Sequence, residues 1–123
     1  MNDFAPKKIL VIDDDEAMRG YLRMVLEKEG YAVTDAAEGH QGLEACHADL
    51  PDLVITDLVM PIKGGLETIR DLKRDFPQLH IIAISGYGND HEMQAARSLG
   101  ADHVWPKVDL RINLLHELPR LLG

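Results

Sequence analysis

The chain has 123 residues, 46% of them hydrophobic, and carries a formal charge of −8; this size suits one compact domain with a two-sided core, expected to occupy all of residues 1–123 with no output domain attached. The negative balance excludes nucleic acid and anionic membrane surfaces as favoured partners, since both repel it at long range, and points to proteins instead. Cys46, the single cysteine, cannot cross-link the chain to itself, no apolar run approaches the roughly 20 residues of a membrane span, and MNDFAPKK lacks the apolar stretch of an export signal, so the cytoplasm is the expected compartment.

Ile9 to Ile12 are four consecutive apolar, mostly β-branched residues, the pattern of a strand covered on both faces. Met18, Tyr21, Leu22, Val25 and Leu26 then recur at helical spacing, and Gly30 provides a stop. The alternation repeats: strand Tyr31–Ala36 and a helix over Gly39–Ala48, strand Leu53–Thr56 and a helix over Leu66–Phe76. Two further units follow, strand His80–Ile84 with a helix over Asp90–Leu99, and strand Asp102–Trp105 with a helix over Leu110–Leu118 that Pro119 is expected to end or bend. Five βα units predict an α/β fold, a parallel sheet with helices on both faces, because right-handed crossovers lay each helix over the sheet.

In such a sheet all strands end on one edge, where ligands bind. The first strand ends in Asp13-Asp14-Asp15-Glu16, the third in Asp57, the fourth in Ser85, and the fifth runs into Lys107. If the first and third strands are neighbours, Asp13, Asp14 and Asp57 converge; two carboxylates ~4 Å apart repel by about 4 kcal/mol at an effective dielectric of 20, so the cluster calls for a cation. Hard oxygen ligands suit Mg²⁺, which would also neutralise the oxygens of a phosphoryl group. Carboxylate nucleophile, metal, hydroxyl and ammonium together make a phosphoryl-transfer set. Taken singly, each residue has a plainer explanation: the acidic run as a helix N-cap, Asp57 and Ser85 as turn residues, Lys107 as a solvated charge. Their common place at successive strand ends favours the functional reading.

Four segments carry a family resemblance: ILVIDDDEAMR with its acidic pair, PDLVITDLVMPIKGG with Asp57, Met60-Pro61 and Gly65, AISG with Ser85, and GADHVWPK with Lys107. Through them the chain resembles the receiver domain of two-component response regulators over nearly its whole length. The resemblance implies a five-stranded sheet of order 2-1-3-4-5, doubly wound in the flavodoxin-like, CheY-like manner. It also implies that Asp57 accepts a phosphoryl group from a sensor histidine kinase or a histidine phosphotransfer protein. Asp14, Asp57 and the backbone carbonyl of Val59 would bind Mg²⁺, Asp13 would act through water, and Ser85 and Lys107 would hold the phosphoryl oxygens. Such a domain is a switch rather than a multiple-turnover enzyme. It passes its signal to a downstream target protein, as a monomer or a weak phosphorylation-dependent dimer, through the fourth helix, fifth strand and fifth helix or through the first helix.

The chain departs from the family at two places. Val108 follows Lys107 where the family usually has a proline in a cis bond, so a trans Lys107–Val108 bond and a displaced loop are expected. Val104 stands where many relatives carry a switching aromatic, and Trp105 should point to the opposite face. Val59 and Tyr87 are expected to border the phosphoryl group and slow its hydrolysis. Two other functions fit parts of the sequence: an aspartyl phosphatase using Asp13 as nucleophile and Asp15 as acid, and a phosphorylation-independent adaptor. The six histidines show no compact ligand spacing, Gly64-Gly65 reads as a turn, and Cys46 reads as a small core residue beside Leu43 and Leu50.

Overall fold

The computed structural model describes residues 5–60, 63–86 and 90–123. Its elements are β1 (Lys8–Ile12), α1 (Glu16–Lys28), β2 (Ala32–Ala36), α2 (Gly39–Ala48), β3 (Leu53–Asp57), α3 (Gly65–Asp75), β4 (His80–Ser85), α4 (Asp90–Ser98), β5 (His103–Pro106) and α5 (Leu110–Leu122). All strand pairs are parallel, in the order β2-β1-β3-β4-β5, as predicted. Strand limits differ from the predicted ones by single residues. The β3 and β4 ladders run on to Asp57 and Ser85, because Leu58 N–H donates to the Ile84 carbonyl at 2.9 Å and Lys107 N–H to the Ser85 carbonyl at 2.8 Å.

Side-chain alternation along the strands divides the core. Ile9, Val11, Leu53, Ile55, Ile82 and Ile84 face Leu22 and Leu26 of α1 and Leu110, Leu114, Leu118 and Leu122 of α5. Leu10, Ile12, Val54, Ile81 and Ala83 face Cys46 of α2, Ile69 and Leu72 of α3 and Ala96 of α4. Burying a side chain such as Leu114 stabilises the fold by about 1.5–3 kcal/mol, and truncating it to alanine would cost about 2–5 kcal/mol once the cavity is included. Val104 and Trp105 belong to opposite halves of this core, as strand alternation requires.

Three expectations are corrected. Tyr21 is exposed on the outer side of α1, whose buried face is Leu22, Val25 and Leu26. Leu50 lies beyond the end of α2 and is half exposed, whereas Cys46 is buried and its thiol is pushed up to about 11 by desolvation. Of the two effects expected of Pro119, an early end to α5 does not occur: the helix continues to Leu122, and Gly123 N–H donates to the Pro119 carbonyl at 2.9 Å. Leu118 and Leu122, on either side of the proline, are both buried, and that burial outweighs one missing helical hydrogen bond in a last turn.

Candidate functional site

The register Ile9↔Leu53 through Ile12↔Thr56 makes Asp13 and Asp57 the next residues in step on adjacent strands, which lie about 4.8 Å apart. Both continue the parity of Ile9–Val11 and Leu53–Ile55, so both lie toward the α1 and α5 side. With Asp14, they offer carboxylate oxygens all within 4.8 Å of one another. Asp13 is fully buried, Asp57 is 5% exposed, and Asp14 is exposed.

Each carboxylate is held differently. Asp13 Oδ1 accepts the Asp15 N–H at 2.9 Å, and its backbone carbonyl accepts Arg19 Nη1 at 2.8 Å. Asp57 Oδ1 accepts the Val59 N–H at 3.3 Å, and Oδ2 accepts Lys107 Nζ at 3.3 Å. Lys107 Nζ also lies 3.2 Å from Asp13 Oδ2, but off the direction of a hydrogen bond, so this buried oxygen has charge beside it and no hydrogen bond. One ammonium among three carboxylates leaves the cluster under-neutralised. Burial and the charge of Asp13 raise the Asp57 carboxyl above its ordinary value, with Lys107 and the Val59 N–H offsetting part of the rise. Burial alone would lower the Lys107 ammonium, but Asp57 and Asp13 more than reverse it.

An orphaned buried oxygen, hard anionic donors and a net negative charge form the donor set that a divalent cation such as Mg²⁺ satisfies. Ser85 is buried at the end of β4, one residue past the partner of Asp57 in the β3–β4 register. Gly65 closes the loop: a Cβ there would lie 2.3 Å from the Asp57 carbonyl oxygen and 2.4 Å from Leu58 Cα, so only glycine fits. The β5–α5 connection turns at Asp109, which has φ 62°, in the left-handed region that aspartate tolerates better than most residues. No cis peptide bond occurs among the described residues, so the Lys107–Val108 bond is trans as expected. Val59 is 58% exposed at the rim of a groove of about 300 Å³ with Leu58, Met60 and Leu66. Pro61 and Tyr87, singled out in the sequence, lie outside the described residues. A groove of about 440 Å³ at the opposite sheet edge, lined by Leu50, Pro51, Phe76 and Pro77 among others, is apolar and remote from this chemistry.

The receiver-domain profile of the response regulators matches residues 9–118. This chain is a member of the response regulator receiver domain family. The receiver is similar to the chemotaxis protein CheY of Halobacterium salinarum, 38% identical over 78% of this chain and 80% of that protein. It is also similar to the response regulator MprA of Mycolicibacterium vanbaalenii, 37% identical over 95% of this chain but only 51% of that protein; the receiver thus spans about half the length of its MprA relatives. Among solved structures it superposes on a CheY-like receiver domain protein from Methanospirillum hungatei with a TM-score of 0.89, at 28% identity, covering 94% of this chain and 93% of that one. A Burkholderia pseudomallei response regulator with a phosphorylated aspartic acid, a calcium ion and citrate gives 0.83 at 28% identity, covering 94% and 70%.

Sequence reasoning missed Arg19, which braces the Asp13 backbone, and an ion pair between Lys63 and Asp71 behind the loop that follows Asp57. Arg19 had a weak signal, a cation in the first turn after an acidic run. Lys63 and Asp71 had none, since eight residues across a loop and a helix follow no spacing rule. Of the histidines, His47 pairs with Asp75 at 2.9 Å, and His80 and His103 lie 3.4 Å from Asp102 and Glu117. Among the described residues, no histidine joins a cluster of metal-ligating groups.

Proposed function

We propose that Asp57 accepts a phosphoryl group from the phosphohistidine of a sensor kinase or phosphotransfer protein, and that the modified domain signals to a downstream target protein. The observation that carries this is the under-neutralised trio of carboxylates around one lysine, with an Asp13 oxygen buried and unbonded. Asp13, Asp14, Asp57 and the backbone carbonyl of Val59 would hold Mg²⁺, which when bound neutralises charge on the transferring phosphoryl oxygens. An Asp57 oxygen forms the new O–P bond as the P–N bond to the donor imidazole breaks, and the electron pair of that bond returns to the ring. Lys107, drawn toward Asp57 in the resting site, would swing its charge to a phosphoryl oxygen, and the Ser85 hydroxyl would take another. Water attacking phosphorus later releases phosphate and restores Asp57, so the domain cycles as a switch and does not turn over an external substrate.

The phosphorylated aspartic acid and the calcium ion of the Burkholderia protein support the same chemistry here. The aspartyl phosphatase alternative would need Asp15 as its acid, whereas this exposed carboxylate caps α1 by accepting the Ala17 N–H at 2.9 Å. Intact mass after incubation with acetyl phosphate and Mg²⁺ tests the proposal. One phosphoryl adduct is expected, lost without Mg²⁺ and lost in Asp57→Asn. A wild type that binds Mg²⁺ but takes no phosphoryl group would favour an adaptor.

A further inference from the structure

The connection from Asp57 to α3 buries a second lysine that phosphoryl acceptance does not use. Lys63 is 5% exposed, and its ammonium is bonded to the equally buried Asp71 of α3. Asp71 is saturated: its other oxygen receives Arg70 Nε at 3.2 Å and Arg74 Nη1 at 3.1 Å. The Lys63 stem crosses the start of α2 so closely that a Cβ on Gly39 would lie 2.9 Å from its Cγ and Cδ. Next in the chain, the Gly64 carbonyl accepts both the Thr68 N–H and its hydroxyl, and Gly65 N–H donates to the Leu58 carbonyl at 3.1 Å. The segment from Lys63 to Gly65 is therefore stitched to the phosphoacceptor strand on one side and to α3 on the other.

An apolar side chain could fill this space without the cost of burying a charge, so an ion pair here serves geometry more than stability. It allows one position of the lysine relative to α3, whereas an apolar contact tolerates sliding. We propose that the Lys63–Asp71 pair is a latch setting the reach of the β3–α3 connection, which makes Lys63 and Asp71 positioning residues for the Val59 carbonyl against Asp13 and Asp57. The inference rests on the phosphoacceptor reading, in which that carbonyl is a Mg²⁺ ligand. Groups that orient ligands from outside the metal's own coordination sphere typically change affinity by about 10–100-fold when removed.

Calorimetric Mg²⁺ titration, which needs no phosphoryl donor, tests it on the intact chain, alongside melting temperature and adduct formation from acetyl phosphate. Lys63→Met keeps the stem and leaves Asp71 its two arginines; Mg²⁺ affinity is expected to fall about 10-fold, at the lower end of that range. Lys63→Met/Asp71→Leu removes both charges, so melting temperature should recover while Mg²⁺ affinity does not, and Lys63→Arg should restore part of the affinity. Unchanged Mg²⁺ affinity in Lys63→Met and in the double variant would overturn the latch, whatever their melting temperatures. A wild type that binds Mg²⁺ but forms no adduct would sink the phosphoacceptor reading while the titrations still decide the latch; a wild type that binds no Mg²⁺ overturns both.

Discussion

Two lysine–carboxylate clusters lie at either end of the β3–α3 connection, built from the same groups with opposite balance. At the strand ends, Lys107 is, among the described residues, the one side chain ion-paired with the carboxylates of Asp13 and Asp57, which Asp14 joins, and an Asp13 oxygen is left without a hydrogen bond. Behind the loop, Asp71 alone receives Lys63, Arg70 and Arg74. Their carboxyl groups shift in opposite directions. Burial and Asp13 raise Asp57, while the hydrogen bond from Lys63, helped by Arg70, lowers Asp71 against its burial. The Asp71 cluster is complete as it stands; the strand-end cluster, on the proposed function, is left short of positive charge until a cation binds.

Substitutions can break the comparison at either end. The largest expected effect is at the deficient cluster, where Asp57→Asn abolishes the phosphoryl adduct in an intact-mass assay, since the asparagine amide is no longer a nucleophile of this kind. At the saturated cluster, Asp71→Leu alone strands the Lys63 ammonium. A loss of about 3 kcal/mol is expected, the low end for a buried pair because exposed arginines let water approach. By calorimetry that corresponds to a melting temperature lower by about 12 °C, at ~4 °C per kcal/mol for a domain of this size.

Acid titration should sharpen the contrast. Without Mg²⁺, the raised Asp57 means that the folded state holds more protons than the unfolded one just above the ordinary 3.8. Stability therefore falls as pH climbs through that window and stays lower above it. Asp71 works the other way: its folded value lies below the ordinary 3.8, so its contribution is present above that value and is lost as pH falls through the folded one. Urea unfolding between about pH 3 and pH 7 should find Asp57→Asn more stable than wild type at neutral pH and Asp71→Asn less stable, with both differences shrinking in acid. The smallest effect belongs to the exposed pair of His47 and Asp75. His47→Ala should leave melting temperature and Mg²⁺ affinity unchanged within error, because exposed pairs gain little against water and salt.

Most of the site was readable in the chain because its residues sit at the ends of strands. Ile9–Ile12 and Leu53–Thr56 announce strands by apolar runs, and the first polar residues after them, Asp13 and Asp57, come to one edge in any parallel sheet where those strands are neighbours. Pro119 misled because its local cost is real, but the burial of Leu122 against the sheet, a contact far away in sequence, exceeds it. Leu50 misled for the converse reason: its spacing matches the α2 face, but the helix has already ended.

The sequence by itself determined the βα alternation, the family and the strand-end residues, Asp57, Ser85 and Lys107, on which the proposed function rests, since each depends on the order of residues along a few strands and their ends. Only the tertiary structure decided how the charges are balanced. Whether a carboxylate is short of partners like Asp13 or saturated like Asp71 depends on depth and on side chains brought in from other segments. Electrostatic energy is set by distance and burial, and neither is a property of spacing along the chain.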